Sequence, residues 1–230
     1  MTSKPTPGAP NNGTVAEIGR LDAPVVDKPG QIFSGMILVT VNIPQGATLR
    51  YTDDGSTPTL ENGTVSRTGI FRIDETRTYR FRLFKDGMMP SEVVAYTYIL
   101  DNGYTLPIIS VAGNYEDLYG DDYGIFVRGN GNGLVGNGQS SPCNWNTDWE
   151  HPVNFEYLLD GSTVFSQEAS IKSAGGWSRA WNPHSFKIKA GKVYEGRKYL
   201  DYPFFVDKPY LRHKVLQIRN GGNDNDARII

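Results

Sequence analysis

Thr78-Tyr-Arg-Phe-Arg-Leu-Phe84 decides the fold class. Tyr79, Phe81 and Leu83 alternate with Thr78, Arg80 and Arg82, the period of two expected when one face of a strand meets a core and the other meets water. The neighbouring runs Met36-Ile-Leu-Val-Thr-Val-Asn42, Thr48-Leu-Arg-Tyr-Thr52 and Val93-Val-Ala-Tyr-Thr-Tyr-Ile-Leu100 are β-branched and aromatic and are bounded by turn residues. Residues 21–100 are therefore expected to form a small antiparallel β-sandwich. Upstream, residues 1–20 are rich in Pro, Gly, Asn and Thr without apolar periodicity and read as a linker.

Asp101-Asn-Gly-Tyr104 is a turn-rich joint, after which longer loops separate the apolar runs. A second region, 101–230, is expected to begin there. Its strand candidates are Leu106–Val111, Gly124–Val127, Pro152–Leu159, Val164–Lys172, Ser185–Lys189 and Lys214–Arg219. Only Tyr115-Glu-Asp-Leu-Tyr119 looks helical. The stretch Gly129-Asn-Gly-Asn-Gly-Leu-Val-Gly-Asn-Gly138 has the composition of a pliable loop, expected to be mobile or ordered by a partner. With 26 Gly, 14 Pro, 13 Tyr, 10 Phe and 4 Trp in 230 residues, the chain suits short strands and many turns, and the fold class is mainly β.

Composition also narrows the chemistry. A formal net charge of −2 with no long basic run gives no field for a phosphate backbone, so nucleic acid is not an expected partner. Cys143 is the only cysteine, which excludes a disulfide or a multi-cysteine zinc site within the chain. No stretch reaches the roughly 18 apolar residues of a membrane span. The glycine repeat from Gly129 precedes no helix, so neither a dinucleotide fold nor a P-loop is supported, and His151, His184 and His213 are too scattered for a helical metal motif.

Gly46-Ala-Thr-Leu-Arg-Tyr-Thr-Asp-Asp-Gly-Ser-Thr-Pro-Thr59 and Phe84-Lys-Asp-Gly-Met-Met-Pro-Ser-Glu-Val-Val94 resemble the chitobiase and β-hexosaminidase C-terminal Ig-like repeat. Within it, Asp53-Asp-Gly-Ser-Thr-Pro58 has a structural use: Asp and Ser cap a turn, Gly takes positive φ, and Pro ends the segment. The resemblance implies an accessory spacer of exported proteins and an extracellular or cell-surface setting.

The second region resembles the amino-terminal part of the spore-coat protein H (CotH) family, whose members have an atypical kinase-like fold. The match rests on Leu106-Pro-Ile-Ile-Ser-Val111, Trp149-Glu-His-Pro-Val-Asn-Phe-Glu156, Ser173-Ala-Gly-Gly-Trp-Ser-Arg-Ala180 with Pro183-His-Ser-Phe-Lys-Ile-Lys-Ala190, and Leu216-Gln-Ile-Arg-Asn-Gly-Gly-Asn-Asp224. It implies an Ig-like sandwich followed by an incomplete, β-rich amino-terminal part of a CotH kinase-like domain in a bacterial surface protein. ATP and Mg would be the cofactors of the full-length parent, and a protein its substrate. The family's catalytic carboxylates lie in a later helical lobe, so no catalytic residue is assigned and the chain alone is expected not to transfer phosphate.

A kinase holds nucleotide phosphates with basic side chains and carboxylate-bound metal. Lys187 and Lys189 share one face of a strand and are the phosphate-contact candidates, although the position before Ser185, basic in many family members, is His184. The plainer account is two solvated lysines on an edge strand. Glu150 or Glu156 is a candidate anchor for such a lysine, but Glu156 alternates with Phe155 and Tyr157 in the manner of a water-facing residue. Asn223, Asp224 and Asp226, in the polar loop with which the chain stops, are candidate metal ligands, with turn formation the alternative. The remaining shell is expected beyond Ile230. A separate reading, in which Trp177 and Trp181 stack on sugar rings, makes the chain a glycan-binding or adhesive surface module; core packing of Trp177 is its alternative.

Overall fold

The computed structural model describes residues 19–191 and 197–221. The chain is mainly β, with fourteen strands and one short α-helix among those residues. The first seven are β1 (Gln31–Phe33), β2 (Ile37–Thr40), β3 (Thr48–Thr52), β4 (Thr64–Ser66), β5 (Ile70–Ile73), β6 (Arg77–Phe84) and β7 (Val94–Leu100). β2 pairs with β5, and this ribbon faces a second sheet in which β4, β3, β6 and β7 are neighbours. The result is an Ig-like β-sandwich. Val39, Phe71 and Ile73 from the ribbon meet Leu49, Tyr79, Phe81, Leu83 and Tyr98 from the larger sheet in one core. Phe71 packs edge-on against Phe81 at 5.1 Å between centroids, the kind of aromatic pair that adds to area burial.

β8 (Ile108–Gly113) leads into α1 (Tyr115–Tyr119), whose first turn is capped by the Asn114 side chain accepting from the Glu116 amide. β9 (Leu134–Gly136), β10 (Gln139–Cys143), β11 (His151–Leu159), β12 (Ser162–Ser173), β13 (Phe186–Lys189) and β14 (Val215–Ile218) follow. A second core gathers Leu118, Ile125, Val153, Phe155, Ala169, Ile171, Ile188, Leu200 and Leu216 on one face of β11 to β14. The two halves share a single sheet. Its order runs β14, β13, β12, β1, β7, β6, β3, β4, with β1 parallel to β7 and touching β12 through Gln31 and Ser162.

At β1 the sheet turns back on itself, and its two polar faces close on each other. Arg80 of β6, expected in water, is 1% exposed; its Nη2 donates to both carboxylate oxygens of Glu168 at 2.6 and 2.7 Å, and its Nη1 to the Gly55 carbonyl at 2.8 Å. Glu156 of β11, also expected in water, is fully buried, accepting from the Thr97 amide at 2.8 Å and the Thr163 hydroxyl at 2.7 Å. Thr97 Oγ1 adds contacts to Thr78 and Ser110 at 2.8 and 2.7 Å. The alternation was correctly periodic, but the polar stripe meets a polar layer of protein.

The Asp53–Pro58 turn closes one side of this seam. Asp54 accepts from the amide and hydroxyl of Ser56, and Gly55 takes φ +82°. A Cβ on Gly55 would stand 2.2 Å from the Gly113 carbonyl oxygen of β8, so glycine is required both for the backbone angle and for the close approach. Gly55→Ala is expected to cost about 2–3 kcal/mol, combining left-handed strain with displacement of backbone. Urea denaturation checks this; a midpoint equal to wild type would show that the turn does not dock on β8.

Two further expectations change. Gly124–Val127 is not a strand: the Ile125 and Phe126 amides donate to the Asp117 and Leu118 carbonyls of α1, and their side chains pack on the second core. Part of the Gly129–Gly138 stretch is ordered by the chain itself, since β9 and β10 form a hairpin. Asn137 at φ 49° and Gly138 at φ 85° form its turn, the Asn-Gly pairing suited to tight hairpins. The Asn146 amide holds the hairpin by donating to the Leu134 and Gly136 carbonyls, each at 3.0 Å.

Candidate functional site: a lysine and carboxylate face on β12 and β13

The polar face of β11 and β12 continues beyond the sandwich. Asn154, Glu156, Ser166 and Glu168 lie at the seam; Ser170 and Lys172 follow on the same face, which pairing extends through Lys187 and Lys189 of β13 to Gln217 of β14. The opposite face carries Ile171, Ile188 and Leu216 into the core. That alternation fixes where the lysines emerge. β13 lies between β12 and β14, so Lys187 and Lys189 are on an interior strand, and the edge-strand account does not hold.

Lys189 Nζ lies 2.7 Å from Glu150 Oε2, and Ser170 Oγ donates to Glu150 Oε1 at 2.5 Å. Glu150 therefore holds the ammonium and is itself held by a hydroxyl, an arrangement that fixes a charged side chain in one place. Burial pushes the Glu150 carboxyl up, but the hydrogen bonds from Lys189 and Ser170 and the lysine charge outweigh it and hold it below its ordinary value. Beside it Lys172 Nζ pairs with Asp148 at 2.9 Å. Lys187 stands directly across the ladder from Lys172 and makes no ion pair among the described residues. Of the two carboxylates weighed as anchors, Glu150 meets a lysine; Glu156 does not.

His184 turns the other way, stacked on Phe126 with centroids 5.2 Å apart and its Nδ1 2.7 Å from the Arg179 carbonyl. Its ring lies off the lysine face. Asn220 fastens the segment that carries the tryptophans: its amide donates to the Ser178 carbonyl at 3.0 Å, and its backbone N–H to the Ser185 hydroxyl at 2.9 Å. Asn223, Asp224 and Asp226 lie outside the described residues, as does the stretch 1–18 of the expected linker. Among the described residues no group of three or more His, Cys, Asp or Glu is placed to hold a metal.

Trp177 opens a short 3-10 turn, Trp177–Ala180, that Trp181 caps, and the two are 73% and 43% exposed. Core packing of Trp177 is thereby overturned: its ring lies over Gly138 in the hairpin turn, where a Cβ would stand 3.0 Å from the indole. The indole is supported from below and otherwise open to solvent, and Leu134 and Val135 of the same hairpin are also exposed. The residues that sequence reasoning passed over are Arg80 and Glu168. Only the partner strand 88 residues away reveals the pair.

The chitobiase/beta-hexosaminidase C-terminal domain family matches residues 28–96, the span of the sandwich from before β1 into β7. No curated protein matches the chain. No helix among the described residues is long and apolar enough to cross a membrane. Residues 28–96 are thus similar to the chitobiase/β-hexosaminidase C-terminal domain, an Ig-like module.

Proposed function

We propose that the lysine face is the phosphate-contact surface of a CotH-like, atypical kinase domain, which the Ig-like module carries in an extracellular or surface-attached protein. The observation that carries the reading is the Lys189–Glu150 ion pair, clamped by Ser170, on a rigid interior strand. Kinases of established mechanism use a lysine held by a glutamate to meet nucleotide phosphates. Lys187, next to it and without a carboxylate of its own among the described residues, supplies a second cation. These groups fit the phosphates of ATP; the Mg candidates Asn223, Asp224 and Asp226 lie outside the described residues, and no chemical step is assigned to this chain.

Calorimetric titration of the chain with Mg·ATP tests the reading. A saturable heat is expected, and Lys187→Met and Lys189→Met are each expected to weaken it about ten-fold, the loss of one charge-assisted contact. Silence in the folded wild type, or binding indifferent to both variants, would end the nucleotide reading. A second reading is favoured by the solvent-open indole of Trp177 on its hairpin support, with Trp181 nearby. It makes the chain a glycan-binding surface module. Heat with a soluble polysaccharide that disappears in Trp177→Ala supports it.

A further inference from the structure

Leu200 and His213 form an antiparallel bridge, with the His213 amide donating to the Leu200 carbonyl at 3.0 Å and the Leu200 amide to the His213 carbonyl at 2.8 Å. Leu200 is fully buried in the second core, so the bridge anchors the base of the excursion 201–212. Tyr199 and Lys214 flank that base, and the returning chain brings Arg212 beside them. Three cations consequently gather on one ring. The Arg212 guanidinium carbon lies 4.7 Å from the Tyr199 centroid, Lys198 Nζ 5.6 Å and Lys214 Nζ 6.0 Å.

All three are exposed, and none makes an ion pair among the described residues. Cation–π attraction at an exposed site is weak. It is opposed here by the mutual repulsion of three like charges brought within reach of one ring. A multiply charged anion reverses that balance, since its attraction to each cation outweighs the repulsion among the three. Arg212 adds a planar fork suited to tetrahedral oxyanions, and the two lysines add mobile point charges.

We infer that Lys198, Arg212 and Lys214, arranged around Tyr199, form a binding site for a phosphate-bearing ligand. Its residues are distinct from Lys187 and Lys189 of β13. Exposed Phe205, Val206, Tyr210 and Leu211 lie on the same excursion, so the phosphate has two possible sources, a soluble oligophosphate or a lipid headgroup.

Inorganic tripolyphosphate, titrated calorimetrically into the full chain at low and physiological salt, reads the soluble source. Co-sedimentation with phosphatidylcholine vesicles, with and without phosphatidylglycerol, reads the lipid source. Binding to at least one probe is expected, weakened by salt and reduced about ten-fold in Arg212→Gln and in the Lys198→Ala/Lys214→Ala double variant. Tyr199→Leu, which keeps the apolar body but not the ring quadrupole, is expected to weaken it too. Circular dichroism melts confirm that each variant folds, and Lys187→Met and Lys189→Met are titrated in parallel, so that heat arising at the lysine face is separated from heat arising around Tyr199. Absence of binding to both probes, or equal binding by wild type and folded variants, overturns the inference. Loss only in the β13 variants overturns it as well, since the anion would then sit on the lysine face.

Discussion

Replacing Arg80 by Ala is expected to lower the unfolding free energy by about 3–5 kcal/mol, the cost of removing the guanidinium that compensates a buried carboxylate. Arg80 is enclosed between β6 and the Glu168 side of β12, and its guanidinium is bound to Glu168 and to the Gly55 carbonyl. Their side chains are 2% and 10% exposed, so solvent screening removes little of the interaction. For a chain of this length the melting temperature should fall by on the order of 10 °C. The double variant Arg80→Met/Glu168→Leu is expected to regain most of the loss, because the penalty lies in the stranded charge rather than in the absence of the pair. Equilibrium denaturation decides it: a double variant as unstable as the single one would show that the seam needs the ion pair itself.

The second large effect depends on pH. Burial pushes the Glu156 carboxyl up to about 7, while the hydrogen bonds from Thr163 and Thr97 pull in the opposite direction and only partly offset it. The other titratable side chains coupled to it are the phenols of Tyr96 and Tyr98, both raised by burial. The fold therefore retains a proton that the unfolded chain releases near pH 4.5. Between roughly pH 4.5 and pH 7 the native state binds more protons than the unfolded state, so stability falls as pH rises through that window. The full loss is about 3 kcal/mol. Glu156→Gln, which cannot ionise but can accept from Thr97 and donate to Thr163, is expected to erase this slope. The measurement is the difference in unfolding free energy between wild type and variant across the window; parallel curves would show that the carboxyl is as ionised in the fold as in the unfolded chain.

Much of the sandwich was legible because its strands obey local rules. Thr48–Thr52 is a strand over the residues read from the sequence, and Thr78–Phe84 differs by one residue at its start. β1 and β4, at three residues each, fall below the length at which alternation is informative, and β5, at four, sits at its lower limit. Arg80, Glu156 and Glu168 were illegible for another reason. A period of two reports that a face is polar, but not whether water or a second polar sheet lies against it. The lysine face was half legible: alternation put Lys187 and Lys189 together, whereas the choice of Glu150 over Glu156 as the anchor required the fold. Gly124–Val127 misled because apolar residues that plug a core after a short helix have the composition of a strand.

The return of the sheet at β1 has a mechanical consequence. Linked modules ordinarily swivel, and their relative orientation averages over many angles. Here a twist of the sandwich against β11 and β12 must break the β1 pairings, the Glu156 bond to the Thr97 amide and the Arg80–Glu168 clamp together. The sandwich therefore acts as a lever arm rather than a hinge, and a torque applied to its far end is carried into the sheet that bears the lysine face.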